Sequence, residues 1–379
     1  MTSSTSEQRR ELAATLGAAA LLGLGPAAAI GVGRFAYALV LPDMLSDLGL
    51  SLTQAGLLGS ANTGGYLLGA LLSHRILRAV DHRRGFYLAA VLQCLTLLAL
   101  AFAPPFMVMA ALRLAQGVLG AVVFVGGAAL VLAAGGKALS LGLYFGSIGV
   151  GMAVSTAVLP LASDWRSGWL WLGVLALALA AASLPAWRRL REPASPVTAG
   201  EGSLRPVLAA LVSYGLYGAG YIAYMTFVTA DLSVATGPFW FVLGLGAVLN
   251  GPVWGPVTGR LGGTLAQAAV LLVLLVSSLP PLIGAAPHIS ALLFGVSFLG
   301  VITAITVLIR ARLPAGAWPR AMGLSTAAFA AGQALGPVFT GAVGEAAGGA
   351  VGALWTGSVL LALALLVAVF GAARPVGAP

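Results

Sequence analysis

The chain has 379 residues, of which 60% are hydrophobic and 8% charged, with a mean hydropathy of +1.02 and a formal net charge of +9. A soluble domain carries roughly 25% charged residues, so this composition excludes a water-soluble globule and makes lipid the solvent. The single cysteine, Cys94, excludes an intramolecular disulfide framework and a cysteine-based metal site.

The first apolar run, residues 12–41, follows Arg9 and Arg10. A secretory leader has an apolar core of only about 7–15 residues, so this run reads as a first membrane span. It contains IGVGRFAYALVLPDM, where Arg34 interrupts a stretch otherwise suited to hydrocarbon. Eleven further spans are predicted at 52–73, 86–103, 106–134, 139–161, 168–187, 205–230, 238–259, 264–285, 289–312, 320–343 and 350–372. Each is near the ~20 residues that cross a bilayer. Pro42-Asp43, Pro104-Pro105, Gly135-Gly136, Pro280-Pro281 and Pro287 punctuate them. Backbone amides in lipid must be satisfied within the segment, which favours helices, and the period-2 alternation of a membrane barrel is missing. The expected fold class is an all-α membrane protein of twelve transmembrane helices.

Basic residues orient the spans. With the N-terminus in the cytoplasm, all basic residues except Arg34, Arg113 and Arg166 fall on the cytoplasmic side. Arg166 faces outward beside Asp164. This predicts both termini inside a bacterial cytoplasmic (inner) membrane. It also explains the +9 as attraction to the anionic inner leaflet rather than to nucleic acid.

The longest polar connection runs from 188 to 204 and includes EPASPVTAGEGS. It divides the chain into an N-terminal six-helix bundle, 1–187, a cytoplasmic linker, 188–204, and a C-terminal six-helix bundle, 205–379. The halves carry a weak internal repeat. RFAYALVLPDM in span 1 aligns with IAYMTFVTADL in span 7, pairing Asp43 with Asp231. Gly65, Gly69 and Ser73 in span 2 align with Gly251, Gly255 and Gly259 in span 8. LSLGLYFGSIGVG in span 5 aligns with RAMGLSTAAFAAG in span 11. The offsets are 188, 186 and 181 residues.

This pattern resembles the major facilitator superfamily, with two six-helix halves and a central linker. ALRLAQGVLGA in span 4 is similar to that superfamily's span-4 motif, carried here by Arg113, Gln116 and Gly117. GVGRFAYALVLPDM followed by LSLTQAGLLGSANTGGYLLGAL is similar to the YbfB/YjiJ-like branch. The loop motif between spans 2 and 3 is incomplete: Gly69 and Arg78 fit, but Ser73 stands where the family has an aspartate, leaving Asp81 as the substitute. The Gly-Pro pair expected in span 5 is missing there and occurs in span 11 as Gly336-Pro337.

Arg34 and Arg113 each lie about seven residues from the outer end of their spans, roughly 10 Å deep. The resemblance implies that spans 1 and 4 both line a central cavity. The ten acidic residues all fall in loops, tails or span ends. Buried guanidinium groups without carboxylates point to an anionic ligand gripped bidentately. Two plainer readings stand beside this one. Arg34 snorkels or donates to carbonyls freed near Pro26, and Arg113 only holds helix contacts. In span 7, Tyr214, Tyr217, Tyr221 and Tyr224 share one face, which reads as a cavity wall or as core packing.

The candidate substrate-binding residues are therefore Arg34, Tyr37, Arg113, Gln116, Tyr217, Tyr221, Tyr224, Asn250 and Gln333. Asp43, Asp231 and Glu345 are candidates for coupling. Gly69, Gly117, Gly255, Gly336 and Pro337 are expected to serve close packing and conformational change. GVGRFA matches a dinucleotide-binding pattern only by sequence, since that motif needs a preceding strand. An intramembrane protease around Ser297 would need a histidine base beside it, and His288 lies on the same span. No cofactor and no metal are expected.

The resulting expectation is a monomeric secondary active transporter working by alternating access, not an enzyme. Proton-linked efflux of a small amphipathic compound, anionic in the sharper form, is favoured. Uptake or exchange of an organic anion is the alternative, and a non-transporting membrane receptor the remote one.

Overall fold

A computed structural model describes residues 2–50, 52–102, 105–189, 192–193, 203–228, 236–346 and 349–372. The first span is three segments in series: α1 (Thr2–Pro26), a π-helical segment (Ala27–Phe35) and α2 (Tyr37–Leu48). Then follow α3 (Leu52–Val80), α4 (His82–Leu100), α5 (Phe106–Ala133), α6 (Ala138–Val158) and α7 (Trp165–Ser183). The second half has α8 (Leu208–Phe227), α9 (Thr236–Ser278), α10 (Pro287–Phe298), α11 (Gly300–Arg312), α12 (Trp318–Ala346) and α13 (Ala350–Ala372).

Twelve helical rods result among the described residues. α9 has 43 residues, about 65 Å if straight, which is twice the ~30 Å hydrocarbon core. Gly262 divides it, with φ 73° and ψ 163°. That backbone conformation is open to glycine and costly for other residues. The predicted loop between spans 8 and 9 is thus a single-residue turn. Span 10 is one rod, α10 and α11, joined through Leu299, whose backbone stays in the right-handed helical region. The 188–204 linker lies largely outside the described residues.

The outside is apolar, as lipid requires. Leu88, Val91, Leu92 and Leu95 stand exposed on α4, and Leu363, Leu366, Val369 and Phe370 on α13. Inside, large rings such as Phe86, Trp169, Phe239 and Phe294 are fully buried. Small residues let backbones touch. A Cβ on Gly151 would fall on the Ala27 carbonyl oxygen, and one on Gly332 on the Gly215 carbonyl oxygen. Ala27 and Gly215 are separated by the 188-residue offset found in spans 1 and 7, and Gly151 and Gly332 by the 181-residue offset of spans 5 and 11. The internal repeat therefore appears as the same helix contact made twice, α1 and the π-segment with α6, and α8 with α12.

Across the halves, α6 and α9 run in close contact. A Cβ on Gly251 would lie 2.6 Å from the Leu143 amide nitrogen, and one on Gly255 would lie 2.6 Å from the Leu139 Cα. The small-residue rows expected to pack do so, but with different partners. Gly69 and Gly117 seal α3 to α5 within the first half, where a Cβ on Gly69 would lie 2.6 Å from the Val118 carbonyl oxygen. Gly336 seals α12 to α8 within the second half, with the Ala219 carbonyl oxygen 2.7 Å from its Cβ position.

At the predicted cytoplasmic face, Glu192 accepts the backbone amides of His82 (2.9 Å) and Arg83 (3.0 Å) and the Arg83 Nε (3.1 Å). Asp81 spends its carboxylate on its own helix end, accepting the Arg84 amide at 2.7 Å, instead of reaching the other half. Partial burial raises the Glu192 pKa, but the amides of Arg83 and His82 outweigh it and hold the carboxyl below the usual glutamate range. The latch is therefore fully present above the ordinary glutamate value and is lost as pH falls through the lowered one. Glu192→Gln is expected to speed hydrogen exchange of the His82 and Arg83 amides several-fold at neutral pH. Unchanged protection would show that the start of α4 is held without the carboxylate.

At the opposite face, Asp47 accepts the Trp165 Nε1 (2.8 Å) and the Arg166 Nη1 (2.7 Å), tying the end of α2 to the start of α7. These two bonds, Trp165 first, lower its pKa.

Candidate functional site

The first span is built around its π-helical segment. Pro26 has no amide to donate, and Gly31 and Gly33 add backbone freedom to the turns that follow. A π-segment shifts the hydrogen-bond ladder and leaves carbonyls for other partners. Gln93 of α4 donates its Nε2 to the Ala29 carbonyl at 3.0 Å. Arg113 of α5 donates its Nη1 to the Gly33 carbonyl at 2.8 Å.

The two intramembrane arginines, equal in depth by sequence, have different surroundings. Arg113 is 2% exposed. Its Nη1 is shared between Gly33 and the Gln116 Oε1, each at 2.8 Å, and its guanidinium lies 4.5 Å above the Tyr37 ring. Asn62 donates to the Arg113 carbonyl at 3.1 Å, adding a hold from α3. Arg34 instead lines the central cavity. Its Nη1 donates to the Gln333 Oε1 of α12 at 3.1 Å, bridging the two halves. Its guanidinium carbon is 5.6 Å from the Tyr66 ring centre, a cation–π distance. Its Nη2 is shut off from solvent and has no hydrogen-bond partner among the described residues.

Gln333 donates its Nε2 to the Tyr221 hydroxyl, and Tyr217 donates its hydroxyl to the Phe298 carbonyl. The rings behind them are nearly parallel. Tyr217 and Tyr221 each stack on Phe329 at 5.5 Å, inclined 12° and 14°, and Tyr221 faces Phe298 at 6.0 Å and 12°. Tyr66 and Phe124 supply the opposite wall. The space between is about 20 Å³, enough for one water. A second cleft, about 250 Å³, opens between the start of α2, the end of α6 and the start of α9, beside Ala38, Leu39, Thr156 and Thr236.

Of the candidate binding residues, the structure brings Arg34, Tyr217, Tyr221 and Gln333 to one cavity. It places Tyr37, Arg113, Gln116, Tyr224 and Asn250 away from that wall. Tyr37 packs between Arg113 and Trp169, whose ring centre is 6.4 Å away. Gln116 is occupied by Arg113. Tyr224 sits in the second half's core, hydrogen-bonded to the Ser290 hydroxyl at 2.5 Å and stacked on Phe294. Asn250 spans to the Gly142 carbonyl of α6 at 3.4 Å, a contact between helices. Of the coupling candidates, Asp43 is exposed midway along α2. Asp231 lies outside the described residues, as do the side chains of Glu345 and Pro337. Among the described residues no cluster of three His, Cys, Asp or Glu side chains is placed to hold a metal.

The sequence reading missed Phe35, Tyr66, Phe124, Phe298 and Phe329. They come from five helical segments, one ring each, so no spacing along any one segment marks them.

Over residues 26–369 the chain matches the sequence model of a family described as uncharacterised MFS-type transporter YbfB. No curated protein sequence matches significantly. Among solved structures it is similar to FucP, described as a major facilitator superfamily (MFS) transporter in the outward conformation. The TM-score is 0.66 at 15% identity, over 94% of this chain and 98% of that one. At that identity the likeness shows the fold.

Proposed function

We infer that this chain, which belongs to the YbfB-type family of MFS transporters, moves a small amphipathic organic anion across the membrane by alternating access. The observation that carries the anionic part is the Arg34 Nη2, buried in the central cavity without a partner. An occluded charge met by one neutral amide and by ring faces, with no carboxylate, is costly, and an anion entering the cavity relieves that cost. Tyr217, Tyr221 and Gln333 complete the site. The cleft beside Thr156 and Thr236 is the approach from outside, and the contact of Leu139 with Gly255 closes the opposite end. The halves, 1–187 and 205–379, rock about this site as a monomer in a bacterial inner membrane, with both termini inside.

Proton-linked efflux is the first reading of direction and coupling, with Asp43, Asp231 and Glu345 as candidate proton carriers. Anion exchange is the second, favoured by the pairing of Arg34 with a neutral glutamine. An empty carrier must then occlude an uncompensated charge to return, whereas a loaded one does not. Counterflow in proteoliposomes tests the transport reading. Liposomes preloaded with a recognised anion are expected to accumulate labelled anion transiently and saturably, and Arg34→Gln is expected to lower the initial rate at least tenfold. Binding with no counterflow under any gradient would favour the receptor reading.

A further inference from the structure

We propose that the central cavity is shaped for a planar aromatic monocarboxylate, a benzoate-like solute. The inference rests on the reading of this cavity as the solute site and narrows what enters it.

Charge comes first. Among the described residues lining the cavity, Arg34 alone carries a formal charge. Its Nη1 is held by the uncharged Gln333 Oε1 and its Nη2 by nothing described. A carboxylate displacing Gln333 meets two guanidinium nitrogens in the side-by-side geometry that favours bidentate pairing. A second negative charge on the ligand would lie against ring faces, whose quadrupoles are negative. One carboxylate is therefore matched and two are not.

Shape comes next. Tyr217, Tyr221, Phe298 and Phe329 present near-parallel rings, with interplanar angles of 12° to 14° along the stack through Phe329 and Phe298. Tyr66 and Phe124 face them from the other half. The slot is about 20 Å³, so any organic ligand must part the halves. A flat ring needs the least separation and can stack on the exposed faces, and aromatic pairs add attraction beyond buried area. A puckered ring of the same charge needs a wider gap and gains no stacking. The Tyr221 hydroxyl already accepts from Gln333, so its own proton is left to donate to a carboxylate oxygen.

The test is thermal unfolding of the purified full-length protein, since a ligand of the folded state raises its apparent stability. Four probes separate the properties: benzoate, cyclohexanecarboxylate (same charge, puckered), benzamide (flat, neutral) and phthalate (flat, two charges). Benzoate is expected to stabilise at concentrations at least tenfold below each of the others. Arg34→Gln should abolish the benzoate response. Phe329→Leu should keep an anion response but lose the preference for benzoate over cyclohexanecarboxylate, which keeps the test alive if the arginine variant fails to fold.

Equal responses to benzoate and cyclohexanecarboxylate overturn the aromatic proposal while leaving an anion transporter in place. Equal responses to benzoate and benzamide overturn the anionic part. If none of the four stabilises the protein, but counterflow of another solute is measured, the proposal fails and the transport reading survives. If neither binding nor counterflow is found with any solute, both fail.

Discussion

Arg113→Ala is expected to destabilise the protein by about 2–4 kcal/mol, from two charge-assisted hydrogen bonds and a large-to-small cavity, while leaving anion binding at Arg34 within a fewfold of wild type. The Arg113 Nη1 closes both the Gly33 carbonyl and the Gln116 Oε1. Removing it leaves a buried carbonyl of the π-segment without a donor, and a void beneath Tyr37. The figure is kept below the full sum because a buried guanidinium also carries a desolvation cost that the variant no longer bears. Arg113→Lys should recover little, since an ammonium cannot reproduce the planar fork over an aromatic face. The paired measurement is melting temperature and benzoate response in the same samples. A variant that melts like wild type yet no longer responds to benzoate would return Arg113 to the binding site.

Gly117→Leu is expected to abolish accumulation of folded protein. Gly117→Ala alone should cost about 1–3 kcal/mol or more, the range for overpacking a close contact. A Cβ at this position would fall on the Asn62 carbonyl oxygen and crowd the Tyr66 amide, and would lie 2.8 Å from the Gly65 carbonyl carbon. All of these are backbone atoms, so no rotamer change can make room and α3 must move bodily off α5. Gly64→Ala on α3 is the control. Nothing lies within 4 Å of its Cβ position, so it should be neutral or gain up to ~1 kcal/mol of helix propensity. Fluorescence-detected size exclusion of the three variants in one detergent separates these outcomes. A monodisperse Gly117→Leu protein at wild-type yield would mean that the α3–α5 contact is looser than this packing implies.

The architecture was legible because the bilayer imposes it. Run lengths follow from lipid thickness and are written in composition. The offset between Ala27 and Gly215 was legible too, through neighbours that resemble each other. The site was legible only in part. Arg34 and Arg113 stand at matching depths by residue count, but counting assumes one helical repeat throughout, and the π-segment ending at Phe35 breaks that assumption. The direction of the Arg34 side chain depends on that break, while Arg113 keeps the regular repeat of α5. The tyrosine stripe on α8 was recognisable as a face, yet that face is longer than the cavity. Tyr217 and Tyr221 reach it, while Tyr224 is covered by Phe294 and Ser290. Rings contributed singly by separate segments left no periodicity to read.

The π-segment has one further consequence, which concerns inheritance. A helix advances about 100° per residue, so the bearing of Arg34 depends on how many residues precede it in the span. Substitutions between Ala27 and Gly33 change volume and leave that count alone. Loss or gain of a single codon there would swing the guanidinium a quarter-turn or more and detach the carbonyls that Gln93 and Arg113 hold. In this stretch, related chains would diverge in substrate by insertion and deletion more readily than by point change. Alignments that tolerate a gap within 27–33 would then group proteins that share the scaffold and differ in what they carry.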